Sequence, residues 1–230
     1  MPLIEIDGVS HAYGDQGNRR VVLADISVAL SEQRIGIIGA NGSGKSTFVR
    51  LINGLFLPEQ GSVRVDGLDT RKDGREVRRR VGFCFTDPDA QIVMPTVRED
   101  IAFGLRRRGL SKAEVAARVD AALTTYDLDG HADHPAHLLS GGQKQLLALS
   151  AVLVTDPAVL VLDEPTTLLD LRNAHRVARM VAGIRQQVIL VTHHLDLLAG
   201  FDRVLVFDRT RIVYDGPQDA ATEHYRRLMA

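Results

Sequence analysis

Short apolar runs separated by turn residues occupy the first third of the chain. Residues 3–6 and 21–30 have the composition of short strands joined by turns. Residues 34–39 form a compact apolar run that ends on glycine, which is typical of a buried parallel strand. A glycine-rich turn follows, and residues 46–55 then show helical periodicity. Residues 61–67 have turn residues at both ends and predict an edge strand.

The residue pattern in the middle of the chain predicts helices. A helix is predicted to begin at Ser111, because Glu114 follows three residues later and alanines dominate the next turns. Helices are expected to dominate residues 97–154. Strand patterns then return at residues 159–163, 187–192, 203–207 and 211–214. This order predicts an α/β core with parallel strands, interrupted by a helical insertion.

Composition places the chain among ordinary globular proteins. Of its 230 residues, 45% are hydrophobic and 25% are charged, which excludes an intrinsically disordered chain. Cys84 is the only cysteine, so a disulfide scaffold is excluded and a reducing compartment is expected. The net charge of -1 gives no general attraction to nucleic acid or anionic lipid.

Two basic clusters, residues 78–80 and 106–108, are interpreted as solvated helix faces, since no aromatic residues interleave with them. We therefore expect no direct nucleic-acid partner. Residues 1–10 lack the basic start and apolar run of a signal peptide. No apolar stretch approaches the ~20 residues of a membrane span. A cytoplasmic location is expected, with any membrane contact made through a partner.

A glycine-rich motif follows the apolar run at residues 34–39. It fits the pattern G-x-x-x-x-G-K-[ST] and consists of Gly39, Ala40, Asn41, Gly42, Ser43, Gly44, Lys45 and Ser46. Glycines let the backbone turn its N–H groups toward phosphates, and the following helix begins with partial positive charge. Lys45 can reach the β- and γ-phosphates, and the Ser46 hydroxyl can bind Mg²⁺, with Thr47 behind it. The motif predicts nucleoside triphosphate binding and is called the phosphate loop below.

An apolar run at residues 159–162 ends in two carboxylates. Asp163 suits a contact to Mg²⁺, directly or through water. Glu164 is placed to polarise an attacking water. An ordinary buried strand with a solvated acidic end would look the same, but the phosphate loop favours the functional interpretation.

Residues 139–143 form a serine–glycine turn, and an apolar helical pattern follows it. The turn consists of Leu139, Ser140, Gly141, Gly142 and Gln143 and is called the signature turn below. Alone it predicts a helix N-cap. Together with the phosphate loop and the paired carboxylates, it resembles the nucleotide-binding subunits of ABC transporters over nearly the whole chain.

That resemblance implies a fold and a pair of cofactors. The fold class is α/β: a P-loop NTPase (RecA-like) core with an N-terminal antiparallel β-subdomain and an inserted α-helical subdomain. Residues 1–85 and 155–230 are expected to form the β-subdomain and core, and residues 86–154 the helical subdomain. ATP and Mg²⁺ are the implied cofactors. In this family the signature turn closes on the γ-phosphate held by a second copy, so a head-to-tail dimer encloses two ATP molecules.

Other family landmarks can be located on this chain. Tyr13 lies where the family places an aromatic ring that stacks on adenine, although a surface filler is the alternative. Asp170 matches an aspartate in the loop that contacts the partner subunit. His193 matches a histidine that senses the γ-phosphate and holds the attacking water, and His194 is then its neighbour.

One position departs from the family pattern. Most members carry glutamine where this chain has Thr86, and that glutamine normally contacts Mg²⁺ and water. A threonine hydroxyl is shorter. Either Thr86 acts through water, or nearby Asp87 or Gln91 takes part. We expect the threonine to affect the geometry of the metal site and the coupling to the membrane partner more than it affects ATP binding.

The run at residues 86–91, with that at 96–104, resembles energy-coupling factor transporter ATPases. These work with a second ATPase subunit, a transmembrane coupling protein and a substrate-binding membrane protein, at the cytoplasmic face of the membrane. Many continue into a C-terminal extension, whereas this sequence stops at Ala230. The short form resembles the biotin type, with cobalt or nickel as runner-up.

Two other function classes stay open at this stage. A non-transport ATPase acting on DNA or ribosomes would need a long coiled-coil insertion or a second fused unit, and residues 45–140 contain no long heptad run. A regulatory subunit without turnover is suggested by Thr86. Lys45, Glu164 and His193 argue against it.

Overall fold

The computed structural model describes residues 1–15, 17–106 and 108–230; Gln16, and Arg107 of the second basic cluster, lie outside. The described residues form two compact units. The core unit consists of Met1–Gly82, Ala158–Asp163 and Arg185–Ala230. The helical unit consists of Phe83–Pro157 and Glu164–Ile184. The division expected at residues 86–154 stays a prediction about functional subdomains.

Seventeen regular elements are present in the described residues. The strands are β1 (Ile4–Tyr13), β2 (Arg20–Leu30), β3 (Arg34–Gly39), β4 (Gln60–Val65), β5 (Leu68–Asp69), β6 (Val81–Cys84), β7 (Val159–Asp163), β8 (Gln187–Val191), β9 (Arg203–Asp208) and β10 (Arg211–Gly216). The helices are α1 (Lys45–Ile52), α2 (Gly74–Arg80), α3 (Val97–Gly104), α4 (Lys112–Thr125), α5 (Gly141–Leu153), α6 (Leu171–Gly183) and α7 (Gln218–Met229). No helix in the described ranges is long and apolar enough to cross a membrane.

The core unit contains a small antiparallel sheet with the order β2-β1-β4-β5. Buried and exposed positions alternate along much of β1, because one face of such a sheet packs on the core and the other meets solvent. The strand expected at the edge, β4, instead lies between β1 and the two-residue β5. Its flanking turns suggested an edge because β5 is too short to leave a strand pattern in the sequence.

A larger sheet follows the order β10-β9-β3-β8-β7-β6. Strands β9, β3, β8 and β7 are parallel, and β10 runs antiparallel to β9. Every residue of β7 and β8 is buried, as expected of parallel strands covered on both faces. This architecture confirms the α/β P-loop fold and the N-terminal antiparallel sheet.

The register of the parallel strands explains where a site can form. Val191 pairs with Ile37 of β3 and with Asp163 of β7, so these strands end at one edge of the sheet. Ligands of open α/β sheets bind beyond the carboxyl ends of the strands. The phosphate loop, Asp163 and His193 all follow that edge.

The helical unit is built from α3 to α6 and three short 3₁₀ turns. Helix α3 packs against α4 and α5, and α5 also contacts α6. Capping boxes begin three of these helices, at Thr96, at Ser111 as predicted, and at Ser140. Each box satisfies backbone N–H groups that have no partner inside the helix. The sequence therefore sets these three helix starts locally.

Candidate active site

The phosphate loop connects β3 to α1 through two glycines with positive φ. Gly42 has φ 77° and Gly44 has φ 108°, a region that residues with a Cβ rarely adopt. A Cβ on Gly44 would also overlap the carbonyl oxygen of Val22 and lie 2.9 Å from a methyl group of Leu23. The loop conformation therefore depends on glycine at position 44 for two independent reasons.

Lys45 lies at the first position of α1 and is 5% exposed. Its Nζ donates hydrogen bonds to the carbonyl oxygens of Gly39 at 2.8 Å and Ala40 at 2.9 Å. The ammonium group is thus held across the mouth of the loop. Ser43 Oγ is buried and has no hydrogen-bond partner among the described residues. A bound phosphate would supply the acceptor that such a buried hydroxyl normally has.

Asp163 brings together the metal-binding candidates of the core unit. Ser46 Oγ donates to its Oδ1 at 2.9 Å, and Arg50 Nη2 lies 3.3 Å from its Oδ2. The carboxylate is 1% exposed, so its charge needs these partners. A hydroxyl beside a carboxylate supplies the hard oxygen ligands that Mg²⁺ prefers. The residues present therefore fit the implied ion.

Arg50 is a site residue that sequence reasoning missed. It lies four residues after Ser46, so both side chains lie on one face of α1. The same guanidinium group lies 5.8 Å from the ring centroid of Phe56. The i,i+4 spacing from a metal-binding serine was the available signal.

Tyr13 ends β1 with a side chain that is 41% exposed. Its hydroxyl group is 3.0 Å from Thr47 Oγ1, directly behind the phosphate loop. The ring also makes edge contacts with His11 and Phe56, at centroid distances of 5.2 Å and 5.9 Å. This arrangement leaves a tethered, partly exposed aromatic surface near the loop, which suits a stacking partner.

His193 follows β8 and is exposed, as is His194. Their ring centroids are 4.0 Å apart. The backbone N–H of His194 donates to Thr192 Oγ1 at 3.0 Å, and Thr192 is buried. The buried threonine thereby shapes the turn that carries both imidazoles beyond the strand end.

Glu164 and Asp170 belong to the helical unit. Glu164 has φ 53°, an uncommon conformation for a residue with a side chain. Thr167 Oγ1 donates to its Oε2 at 3.0 Å. Strained backbone often occurs at functional positions, where the surrounding structure enforces it. Asp170 caps α6 by accepting from the backbone N–H of Asn173 at 2.8 Å.

The signature turn begins α5 with reciprocal hydrogen bonds. The Ser140 N–H donates to Gln143 Oε1 at 2.9 Å, and the Gln143 N–H donates to Ser140 Oγ at 3.4 Å. Ser140 and Gly141 are exposed, whereas Gly142 is buried. A Cβ on Gly142 would overlap the amide group of Asn173. The turn is therefore ordered from within and presents its serine and first glycine to solvent.

The glutamine near Thr86 is engaged inside the helical unit. Gln91 Nε2 donates to the carbonyl oxygen of Ala148 at 3.0 Å, and its Oε1 accepts from the N–H of Phe85 at 3.1 Å. Asp87 accepts from the N–H of Asp89 and caps a 3₁₀ turn. Both alternatives to Thr86 thus have structural hydrogen bonds within the helical unit.

The comparisons with known proteins agree with these features. A family model described as ABC transporter matches residues 23–167. A putative ABC transporter ATP-binding protein of Deinococcus radiodurans is 55% identical over 99% of both chains. The biotin transport ATP-binding protein BioM of Rhizobium etli is 51% identical over 92% of this chain and 94% of its own. The energy-coupling factor transporter ATP-binding protein EcfA1 of Symbiobacterium thermophilum is 44% identical over 92% and 78%, respectively.

Solved structures give the same result. The structure of cbiO1 from Clostridium perfringens, part of the ABC transporter complex cbiONQ, matches with a TM-score of 0.83 and 29% identity, covering 98% of this chain and 93% of that one. A bacterial ABC transporter cassette solved as a dimer matches with a TM-score of 0.82 and 25% identity, covering 94% and 98%. The chain therefore belongs to the ABC transporter family, as an ATP-binding subunit that hydrolyses ATP.

Proposed function

We propose that this ATPase powers an energy-coupling factor importer, with biotin as the favoured cargo. The observation that carries the proposal is the 51% identity, over nearly the whole chain, to a relative named for biotin transport. A relative named for cobalt import, 40% identical over 93% of this chain, makes cobalt the second candidate cargo. The proposed partners are a transmembrane coupling protein and a substrate-binding membrane protein. The chain would lie at the cytoplasmic face of the membrane and contact it only through them.

The proposed chemistry begins in the core unit. Lys45 and the N–H groups of residues 42–46 hold the phosphates, and Tyr13 stacks on adenine. Ser46 and Asp163 would hold Mg²⁺, and the ion would supply positive charge beside the phosphate oxygens. Thr86 is assigned to this metal site only through water, because its hydroxyl is shorter than the usual glutamine amide. A metal site beside the phosphates requires oxygen ligands. The hydrogen bond between the Ser46 hydroxyl and the Asp163 carboxylate supports this assignment, because it places two such ligands side by side.

The proposed hydrolysis step uses a polarised water. Glu164 accepts a hydrogen bond from the water, orienting its oxygen toward the γ-phosphorus, and His193 steadies the same water. The water oxygen forms a bond to the γ-phosphorus while the bond from that phosphorus to the bridging oxygen breaks. The bridging oxygen and its electron pair leave with ADP, one water proton stays on the inorganic phosphate and the other is released to solvent. Phosphoryl transfer passes through a loose, charge-rich transition state, so positioning and electrostatics supply most of the catalysis.

A second ATPase subunit completes each site in this proposal. Ser140, Gly141 and Gly142 of one copy close on the γ-phosphate held by the other, and Gln143 supports the turn. Asp170 lies in the loop proposed to contact the partner. The exposure of Ser140 and Gly141 supports this arrangement, since both are available to a second chain. Hydrolysis removes the bridging γ-phosphate and lets the dimer open.

The dimer is tested with a variant that binds ATP without hydrolysing it. Glu164→Gln should accumulate an ATP-bound dimer in size-exclusion chromatography with ATP and Mg²⁺. Glu164→Gln combined with Lys45→Ala is the matched control and should stay monomeric, because the phosphates lose their buried ammonium. A Glu164→Gln chain that stays monomeric at saturating ATP would contradict the sandwich model.

The cargo is tested by transport. Cells that express the chain with the small membrane proteins encoded beside its gene should accumulate radiolabelled biotin. Glu164→Gln should abolish that uptake while leaving membrane assembly intact in a co-purification assay. Accumulation of labelled cobalt instead of biotin would assign the alternative cargo.

A further inference from the structure

His131 lies outside the motifs and yet contacts the signature turn. It ends the 3₁₀ turn Asp129–His131, twelve residues before Gln143. Both of its ring nitrogens have partners within hydrogen-bond distance. Nδ1 is 2.9 Å from Nδ1 of His134, and Nε2 is 2.8 Å from Nε2 of Gln143. The half-buried His131 is thereby placed against the side chain of Gln143, which completes the capping box of α5.

The capping box determines the donor and the acceptor in the contact between Gln143 and His131. Gln143 Oε1 accepts from the Ser140 N–H, so its NH₂ group faces His131. An amide is a donor only at nitrogen, and His131 Nε2 must therefore accept. The proton of the neutral imidazole then resides on Nδ1 and is donated to His134 Nδ1. The opposite orientation of the Gln143 amide would place its NH₂ group against the Ser140 N–H, two donors face to face.

We propose that His131 is a positioning residue that holds the signature turn through the amide of Gln143. The shorter bond of the capping box, at 2.9 Å, is the one made by that amide. Without His131, the Gln143 side chain is free to leave this orientation, and the Ser140 N–H loses its acceptor. This inference rests on the proposed contact between Ser140 and nucleotide held by a second copy.

Three single variants separate positioning from packing. His131→Leu keeps a side chain of similar size but removes both hydrogen bonds. His131→Gln supplies an amide oxygen that can accept from Gln143 Nε2. His137→Leu is the matched control, because His137 is exposed in the next 3₁₀ turn and lies outside the His134–His131–Gln143 contacts.

The first measurement uses the nucleotide-free monomer. Amide hydrogen exchange at Ser140 and Gln143, followed by NMR, should be about five- to tenfold faster in His131→Leu, the loss expected for one net hydrogen bond. His131→Gln and His137→Leu should exchange as the parent does. Unchanged exchange in His131→Leu, or equal acceleration in His131→Leu and His131→Gln, would overturn the proposal.

The second measurement uses the Glu164→Gln background. His131→Leu should raise the ATP concentration at half-maximal dimer formation by about five- to tenfold, while a fluorescent ADP analogue binds with unchanged affinity. His131→Gln should restore the parent value. A parent that fails to dimerise would reject the proposed sandwich, and the exchange result would still decide the role of His131 in ordering the turn. A dimerising parent unaffected by His131→Leu would reject the role of His131 in nucleotide closure.

Discussion

The phosphate loop offers a test that separates backbone strain from steric collision. Gly42 and Gly44 both have positive φ, so replacing either with alanine costs about 1–2 kcal/mol of folded-state strain. Around Gly42 the nearest atom to a new Cβ is the flexible Arg20 Nη2 at 3.6 Å, so no collision is added. Gly42→Ala should therefore lower the free energy of unfolding by about 1–2 kcal/mol.

Gly44→Ala carries the same strain and a collision as well. The new methyl group would overlap the Val22 carbonyl oxygen and press on Leu23, and backbone cannot rotate away as a long side chain can. Overpacking of this kind costs about 1–3 kcal/mol. Gly44→Ala should therefore lower the free energy of unfolding by about 2–5 kcal/mol. The difference from Gly42→Ala is the cost of the collision.

Urea unfolding followed by far-UV circular dichroism measures both free energies on the nucleotide-free chain. The comparison of midpoints is meaningful where the slopes of the two variants agree. Equal losses in Gly42→Ala and Gly44→Ala would refute the steric reasoning. A gain of stability in either variant would refute the assignment of strain at that glycine.

Three further outcomes are expected. Burial raises the pKa of the Cys84 thiol to about 12, so at pH 8 the folded chain should resist Ellman's reagent and label only in urea; prompt labelling would show that the site opens. Tyr13→Ala should weaken ATP binding by about 1–3 kcal/mol in titration calorimetry, and Tyr13→Phe should lose much less, because only the hydrogen bond to Thr47 disappears; equal losses would argue against stacking. Thr86→Gln should keep ATP affinity and change how strongly turnover depends on the membrane partner; an unchanged partner-dependent rate in a reconstituted ATPase assay would make Thr86 a neutral substitution.

Several site features were predictable because their physics is local. The phosphate loop needs glycines and a lysine at fixed spacing, and a capping serine acts on an amide three residues away. Such short-range requirements appear directly in the sequence. The α/β order followed in the same way from apolar runs and turns, whereas the N-terminal antiparallel sheet was implied by the family resemblance.

Other features depend on residues that meet only when the chain folds. Arg50 contacts Asp163 across 113 positions, and Gln91 is bonded to Ala148 across 57. From the sequence, Gln91 was one of two residues that could take part in place of Thr86; in the fold, both polar ends of its amide bond to backbone groups of the helical unit. A hydrogen bond depends on distance and direction in space, and neither is encoded in residue type alone.

By itself, the sequence determined the residue types of a nucleotide site, the parallel strands that carry them and the family resemblance. Tertiary structure alone decided that Ser46 and Arg50 share the carboxylate of Asp163, and that His131 lies behind the signature turn. The reason is that motifs record local backbone and chemical requirements, while the partner of each polar side chain is settled by how sheets and helices pack.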